Sequence, residues 1–233
     1  MKSPWLRTGC TKMYYSTPKK LIIVGGADFS DDLFKEVYDN ELPIIAADGG
    51  ANFLAENNIY PELVMGDLDS VSEQNVQNIE PKKVIRIPDQ DSTDLEKVLL
   101  NTQSPLTIGI GFLGSQIDHE LAALSALAKF PEKKIILIGE HDIIFLVPPN
   151  FSLRSYVGMR VSLYPLDEVK VKSDGLKWAT NGLTLKPTGQ IGTSNKAIGK
   201  IIHLTPSQPK LLLILSKTVL NEAIPQLESA QHW

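Results

Sequence analysis

Short apolar runs alternate with helix-like segments between residues 21 and 139, and this rhythm restricts the fold more than any other feature of the sequence. The apolar runs have the length of buried strands and lie at residues 21–26, 43–48, 63–67, 83–88, 106–111 and 134–139. The segments between them carry apolar residues at spacings of three and four and lie at residues 30–38, 52–57, 71–79, 93–100 and 118–130. Alternating strands and helices build β-α units, so the sequence predicts an α/β fold with a mainly parallel sheet.

The pattern changes after Pro148, where short β-type runs separated by turn residues begin and continue to an apolar strand at residues 210–215. An Asn-Gly pair at residues 181–182 lies between the runs 176–180 and 183–186. Asn-Gly is the preferred pair in two-residue turns between antiparallel strands, so it predicts a tight β-hairpin here.

These patterns divide the chain into three parts. Residues 1–20 form an N-terminal extension that carries five basic residues and no acidic one. This composition suits either an organelle-targeting segment or a variable extension. Residues 21–147 are predicted to form the α/β domain, and residues 150–233 an all-β sandwich or barrel domain.

The charge and cysteine content argue against several classes of protein. Lys and Arg total 23 against 27 Asp and Glu, for a net charge of -4. No bulk positive field therefore favours nucleic acid as a partner. The single cysteine, Cys10, has no internal partner for a disulfide, and no apolar run reaches the roughly 18 residues of a membrane span. We therefore expect a cytoplasmic protein that binds no membrane.

Two aspartates end the predicted strand at residues 63–67. If the chain stays extended there, Asp67 and Asp69 project to the same side. Parallel sheets bind ligands beyond the carboxyl ends of their strands, and paired carboxylates suit a hard cation such as Mg²⁺. The residues by themselves leave a second interpretation open, a solvated turn, which Asp and Ser also favour.

Further acidic residues follow two other predicted strands. Asp48 closes one of them, and the segment D-Q-D-S-T-D at residues 89–94 follows another. Carboxylates gathered on one rim of a sheet repel each other, and a bound metal is the simplest way to relieve that repulsion. Thr93 and Glu96 match a capping box that begins a helix, and Asp118 is predicted to cap the next helix.

The sequence contains neither the phosphate loop of P-loop enzymes nor the motif set of protein kinases. It does contain five segments that resemble, in order, A-D-G-G-A-N, G-D-x-D-S, D-Q-D-x-T-D, G-G-R-x-D-H and S-T-S-N-E. They read A-D-G-G-A-N at residues 47–52, G-D-L-D-S at 66–70, D-Q-D-S-T-D at 89–94, G-S-Q-I-D-H at 114–119 and G-T-S-N-K at 192–196. This set and order are similar to those of the thiamine pyrophosphokinase family.

The resemblance implies an activity and an assembly. It implies an α/β catalytic domain that binds ATP and Mg²⁺, a C-terminal β domain that binds thiamine, and a homodimer with active sites shared between subunits. The implied reaction transfers pyrophosphate from Mg-ATP to the hydroxyl of thiamine and gives thiamine diphosphate and AMP.

The resemblance also implies roles for individual residues. Carried over by position, the catalytic residues and Mg²⁺ ligands are Asp67, Asp69 and Asp94. The residues expected to contact the nucleotide are Asp48, Gln90 and Thr93. The residues expected to contact thiamine are Asp118, Thr193, Ser194 and Asn195.

Two residues depart from the family pattern. Gln116 stands where the family has an arginine, a residue able to bind phosphate through two hydrogen bonds. Lys196 stands where the family has a glutamate, beside the expected pocket for a substrate with a positive thiazolium ring. These departures leave open a family member that binds thiamine but has weakened catalysis.

Two further alternatives are other enzymes. A diphosphokinase acting on a pterin alcohol would need the same nucleotide site. An aspartate-nucleophile phosphohydrolase also carries a D-x-D after an apolar strand, but Asp67 and Asp69 follow two complete β-α units and not the first strand.

Several other residues are expected to have ordinary roles. Trp178 could offer an aromatic face to a cationic ring, but a place in the core is expected. Lys97 and Lys200 could reach phosphates, but isolated lysines usually sit in solvent, and that is expected here. The histidines show no spacing typical of metal ligands.

Overall fold

The structure is a computed structural model that describes residues 12–72, 74–75 and 79–233. The first eleven residues of the predicted extension lie outside the described residues, as does part of the helix predicted at residues 71–79.

Strands and helices alternate in the N-terminal part of the chain, as predicted. The elements are β1 (Tyr15–Ser16), β2 (Leu21–Val24), α1 (Asp31–Val37), β3 (Ile44–Ala47), α2 (Gly50–Glu56), β4 (Leu63–Gly66), β5 (Val84–Arg86), α3 (Asp94–Asn101), β6 (Thr102–Gln103), β7 (Thr107–Ile110), α4 (Ile117–Lys129) and β8 (Ile135–Ile138). Each of the six predicted strands is present, which confirms that buried runs bounded by turn residues identify strands in this part of the chain.

The C-terminal part consists mainly of strands. Its elements are β9 (Asp142–Leu146), β10 (Phe151–Arg154), β11 (Arg160–Pro165), β12 (Val169–Asp174), β13 (Thr184–Leu185), β14 (Gly192–Lys196), β15 (Ile201–Pro206), β16 (Leu211–Ser216) and α5 (Leu220–Ser229). Short 3₁₀ helices lie at Pro81–Lys83 and Lys217–Val219.

One large mixed sheet runs through both parts of the chain. Its strand order is β14-β11-β16-β9-β8-β7-β2-β3-β4-β5. The six strands from β8 to β5 are parallel, and β9, β16, β11 and β14 extend the sheet in antiparallel fashion. A second, antiparallel sheet has the order β10-β15-β12-β13. The predicted α/β fold with a mainly parallel N-terminal sheet is therefore confirmed.

Both faces of the parallel strands are buried. Along β2, Ile22 and Val24 pack into one apolar cluster with α1 and α2, whereas Leu21 and Ile23 pack into the other with α3 and α4. Side chains alternate between the faces of a strand, so a strand covered on both sides must be apolar throughout. This double coverage leaves the carboxyl ends of the strands as the place where polar side chains gather.

Three features of the fold were not predicted. β9 pairs with β8 on one side and with β16 on the other. α5 adds a helix to the region predicted to be all β, and β1 pairs with β6, so the described end of the predicted extension is part of the fold. The proposed division near residue 147 stays a prediction. In the described part of the chain, no helix is both long and apolar enough to cross a membrane.

The predicted hairpin around residues 181–182 is wrong. Residues 176–180 form no strand, and β13 pairs instead with β12. Gly182, at φ 81°, sits in a turn closed by a hydrogen bond from Leu183 N to Thr180 O at 2.9 Å. A single positive φ at the third turn residue is typical of a type II turn, which does not join two strands as tightly as a type I′ turn.

Trp178 is 53% exposed, so its predicted place in the core is also wrong. It lies in the loop that replaces the predicted strand, where the ammonium group of Lys177 is 4.7 Å from the centre of its ring. The prediction assumed that Trp178 lies in a strand, where every second side chain faces the core.

Candidate active site

A cleft of about 720 Å³ opens at the carboxyl ends of the parallel strands. The segments that follow β2, β3, β4 and β7 line it, together with the first turns of α3 and α4. In the sheet, β3, β4 and β5 follow on one side of β2, and β7 and β8 follow on its other side. Such a switch point is the usual ligand crevice of an open α/β sheet.

Three carboxylates converge in this cleft. Asp48 follows β3, Asp67 follows β4, and Asp94 is the first residue of α3. One oxygen of each lies within 4.8 Å of the others. Oxygens of three carboxylates at this separation suit a hard divalent cation.

Asp48 is the most unusual member of this cluster. Its side chain is only 3% exposed, its φ is 42°, and its Oδ1 has no hydrogen-bond partner among the described residues. Burial raises the pKa of Asp48 above its ordinary value, and repulsion from the neighbouring carboxylates adds to the effect. A buried oxygen without a partner is costly, so this atom is one that a bound cation would satisfy.

Asp67 is held from several sides. Gln90 Nε2 donates to its Oδ2 at 2.9 Å, and Arg86 Nε donates to its main-chain oxygen at 3.1 Å. Burial alone would raise the pKa of Asp67, but the hydrogen bonds from Gln90 and Lys97 outweigh burial and lower it. Asp67 is therefore charged and firmly positioned.

Lys97 was expected in solvent, and that expectation is wrong. Only 3% of its side chain is exposed, and its Nζ lies 3.2 Å from Asp67 Oδ1 and 3.1 Å from Asp94 Oδ1. Burial alone would lower the pKa of Lys97, but the two carboxylates outweigh burial and raise it. The signal in the sequence was the spacing of three residues between Asp94 and Lys97, which places both on one face of a helix.

The capping box at the start of α3 is confirmed. Thr93 Oγ1 accepts from Glu96 N, and Glu96 Oε2 accepts from Thr93 N, each at 3.4 Å. Glu96 is only 5% exposed and its other oxygen is paired with Lys129 of α4. This arrangement fixes the first turn of α3, and with it Asp94, at the edge of the cleft.

Asp69 lines the cleft but is not one of the three converging carboxylates. Leu68 has a φ of 66°, so the chain does not stay extended between the two aspartates and they do not share a side as strand neighbours would. Asp69 Oδ1 instead accepts a hydrogen bond from Ser70 Oγ at 3.0 Å. Its role as a metal ligand stays a prediction.

Asp118 lies in the first turn of α4 and lines the cleft, but its predicted role as helix cap is wrong. The helix begins at Ile117, so Gln116 and not Asp118 occupies the cap position. Gln116 makes no capping hydrogen bond with its side chain. Glu120 reaches back to Gly114 N at 2.8 Å, and Asp118 Oδ1 accepts from His119 N at 3.1 Å. Gln116 also lines the cleft, so an uncharged side chain stands where the family pattern has an arginine.

The predicted thiamine contacts of the C-terminal region lie elsewhere. Thr193, Ser194 and Asn195 belong to β14, at the opposite edge of the large sheet from β5, and are not among the described residues that line the cleft. Asn195 is buried and binds both main-chain groups of Trp178, accepting from N at 3.1 Å and donating to O at 2.7 Å. Lys196, the other departure from the family pattern, is exposed.

Two adjacent glycines at the start of α2 have different surroundings. A Cβ on Gly50 would lie 2.0 Å from Val24 O, so α2 packs against the end of β2 only because this side chain is absent. A Cβ on Gly49 would meet Gly26 and Ser70 at an ordinary 3.4 Å. Gly49 lines the cleft, whereas Gly50 serves the packing of the fold.

Comparisons with known proteins agree with the motifs. The catalytic-domain model of thiamin pyrophosphokinase matches residues 34–138, and the vitamin B1 binding domain model of the same family matches residues 150–211. Thiamine pyrophosphokinase 1 of Arabidopsis thaliana is 30% identical over 179 residues, covering 68% of this chain and 66% of the relative. Thiamin pyrophosphokinase 1 of Caenorhabditis elegans is 27% identical over 191 residues, covering 73% of this chain and 77% of the relative.

Solved structures show the same fold. The crystal structure of thiamine pyrophosphokinase from Bacillus subtilis superposes with a TM-score of 0.70 at 24% identity, covering 85% of this chain and 99% of that one. The yeast enzyme superposes with a TM-score of 0.70 at 17% identity, covering 94% and 96% of the two chains. The two family models together cover most of the sequence, in the order in which its motifs occur. This chain belongs to the thiamin pyrophosphokinase family.

Proposed function

We propose that this protein is a magnesium-dependent thiamine pyrophosphokinase that converts thiamine and ATP into thiamine diphosphate and AMP. The observation that carries the proposal is that one chain matches both the catalytic and the vitamin B1 binding models of the family, and that its catalytic match contains the converging carboxylates. The vitamin B1 match favours thiamine over a pterin alcohol as the acceptor.

The carboxylate cluster fits a divalent cation. Asp48, Asp67 and Asp94 offer oxygen ligands within 4.8 Å of one another, and the unpartnered Oδ1 of Asp48 is buried. Asp69, in the same cleft, is a further candidate ligand. Mg²⁺ bound here would neutralise charge on the ATP phosphates and on the leaving AMP.

The other residues of the cleft would position the two substrates. Gln90 and Thr93 line the wall next to the carboxylates, where we propose that they contact nucleotide phosphate or ribose. Asp118, on the α4 side, offers a negative charge to the thiazolium ring of thiamine. Phosphoryl-type transfer depends mainly on positioning and charge stabilisation, which these polar groups would provide.

The proposed reaction is a single displacement. The hydroxyl oxygen of thiamine attacks the β-phosphorus of ATP and loses its proton. The bond from the β-phosphorus to the oxygen bridging the α-phosphate breaks, and AMP leaves with that oxygen.

We further propose a cytoplasmic homodimer in which each cleft is completed by β14 of the partner. The support is that Thr193, Ser194 and Asn195 are remote from the cleft of their own chain. Side chains on the loops next to β14 are apolar and exposed, as expected of a surface that pairs with another subunit. They include Tyr156, Val157, Trp178 and Ile198.

The activity is tested by incubating the purified protein with thiamine, ATP and Mg²⁺ and separating the products by chromatography. We expect AMP and thiamine diphosphate to form in equal amounts. Free phosphate without AMP would indicate a hydrolase. Saturable thiamine binding without turnover would indicate a binding protein whose catalysis is weakened at Gln116 or Lys196.

The shared active site is tested by complementation between two inactive variants. Asp67→Asn removes a carboxylate from the cleft, and Thr193→Trp blocks the surface of β14. Heterodimers purified through a different tag on each chain contain one site with both defects and one with neither. We expect them to show about half of the wild-type activity, although each variant alone is inactive. Inactive heterodimers, or failure to isolate any, would contradict the arrangement.

A further inference from the structure

The cleft is strongly acidic, and one lysine stands within it. The described residues that line it include six carboxylates, at Asp48, Asp67, Asp69, Asp94, Asp118 and Glu120. Lys97 is the single lysine or arginine in that lining. Because Gln116 occupies the position of the family arginine, the described lining of the cleft places no arginine or second lysine beside Lys97.

Lys97 joins two carboxylates that come from different elements. Asp94 lies on its own helix, three residues earlier, whereas Asp67 follows β4. The Nζ atom lies within 3.2 Å of Oδ1 of both residues. The ammonium group therefore ties the first turn of α3 to the end of β4, and these are the two elements that carry the candidate metal ligands.

Lys97 also differs from an ordinary surface ion pair in its burial. Its side chain is 3% exposed, so water screens its charge less than it screens the charge of a lysine on the surface. Asp48, beside the pair, is equally buried and keeps an oxygen without a partner. Lys97 thus compensates two of the three converging carboxylates and leaves the third for another cation.

We propose that Lys97 is an internal counter-ion of the metal site, a role that rests on the proposed Mg²⁺ binding by Asp48, Asp67 and Asp94. Without a divalent cation, its ammonium group holds Asp67 and Asp94 together against their mutual repulsion. The same charge opposes the entry of a second cation and so weakens Mg²⁺ binding. Lys97 is in this sense a positioning residue that sets the affinity of the site for the metal.

The test replaces Lys97 with methionine, which has a similar length and no charge. Mg²⁺ alone, without nucleotide or thiamine, is titrated into wild type and Lys97→Met by calorimetry. Removing a like charge within a few ångströms favours a cation by about tenfold or more, so we expect the Kd for Mg²⁺ to fall about tenfold. Without Mg²⁺, the Tm of the variant should fall by about 5–10 °C, and saturating Mg²⁺ should restore most of this loss.

Lys129→Met is the matched control. Lys129 also pairs with a buried carboxylate of α3, Glu96, but it lies outside the lining of the cleft. This control should lower Tm equally with and without Mg²⁺ and leave the Kd unchanged. An equal loss of Tm in both conditions for Lys97→Met, or an unchanged or weaker Mg²⁺ affinity, would overturn the proposal, as would the absence of saturable Mg²⁺ binding to both proteins.

These measurements do not depend on turnover. If the chain produced no thiamine diphosphate, the Mg²⁺ titration and the Tm values would still decide the role of Lys97. Conversely, an active enzyme in which Lys97→Met changes neither Kd nor the Mg²⁺-dependent part of Tm would retain the proposed function and lose this inference.

Discussion

Asp67→Asn is expected to lower kcat/KM for thiamine pyrophosphorylation by about 10³-fold while the protein stays folded. Asparagine keeps the size of the side chain and one oxygen, but it removes the negative charge that Asp67 brings to the cluster. The amide can still accept a hydrogen bond, so the contact with Gln90 or Lys97 need not be lost. The loss should therefore appear mainly in catalysis and Mg²⁺ binding, while the protein still folds.

This expectation is measured by steady-state kinetics, together with circular dichroism and Tm with and without Mg²⁺. Asp32→Asn is the matched control, because Asp32 is a highly exposed aspartate of α1 that pairs with Lys35 across one helical turn. Such surface pairs contribute little, so the control should behave as wild type. Near-wild-type activity in Asp67→Asn would disprove its assignment to the metal site.

Gly50→Ala is expected to destabilise the protein by about 3 kcal/mol, one of the larger effects available to a single added methyl group. The new Cβ would lie 2.0 Å from Val24 O and 2.6 Å from its carbonyl carbon, so α2 must move away from β2. Both contact atoms belong to the backbone of a central buried strand, which cannot yield as a flexible side chain can.

The measurement is equilibrium unfolding in urea, with the slope of the transition used to check that the unfolded state is unchanged. Gly199→Ala is the control, because a Cβ there meets nothing within 4 Å. It should change the free energy of unfolding by less than about 0.5 kcal/mol. If Gly50→Ala were as stable as the control, the close packing of α2 on β2 would be wrong.

Much of the fold followed from local pattern. The parallel strands are apolar on both faces, so runs such as residues 134–139 identified them without any knowledge of their partners. The capping box at Thr93 depends on residues three apart and was equally visible. β9 was missed although it is as apolar as its neighbours, because it follows β8 after a very short turn and the expected helix between strands is absent.

The parts of the site that escaped prediction depend on distant contacts. The spacing of three residues between Asp94 and Lys97 was visible in the sequence, but the ion pair of Lys97 with Asp67, thirty residues earlier in the chain, was not. Trp178 lies in a loop whose backbone is bound by Asn195, seventeen residues later in the chain, a contact that the local pattern does not reveal. The motifs of the N-terminal part predicted residues that gather at the cleft, but only the folded chain shows that Asp48, and not Asp69, belongs to the cluster of three carboxylates.

The continuous large sheet also determines how the two family regions can be handled. β16 from the C-terminal region is hydrogen bonded to β9, which in turn pairs with β8, the last strand of the catalytic-domain match. Cutting the chain after β9 would give each fragment a long apolar strand with a row of unpaired backbone groups, a recognised cause of aggregation. The cleft and the vitamin B1 region are thus parts of one hydrogen-bonded body, and neither is suited to being transplanted or expressed alone.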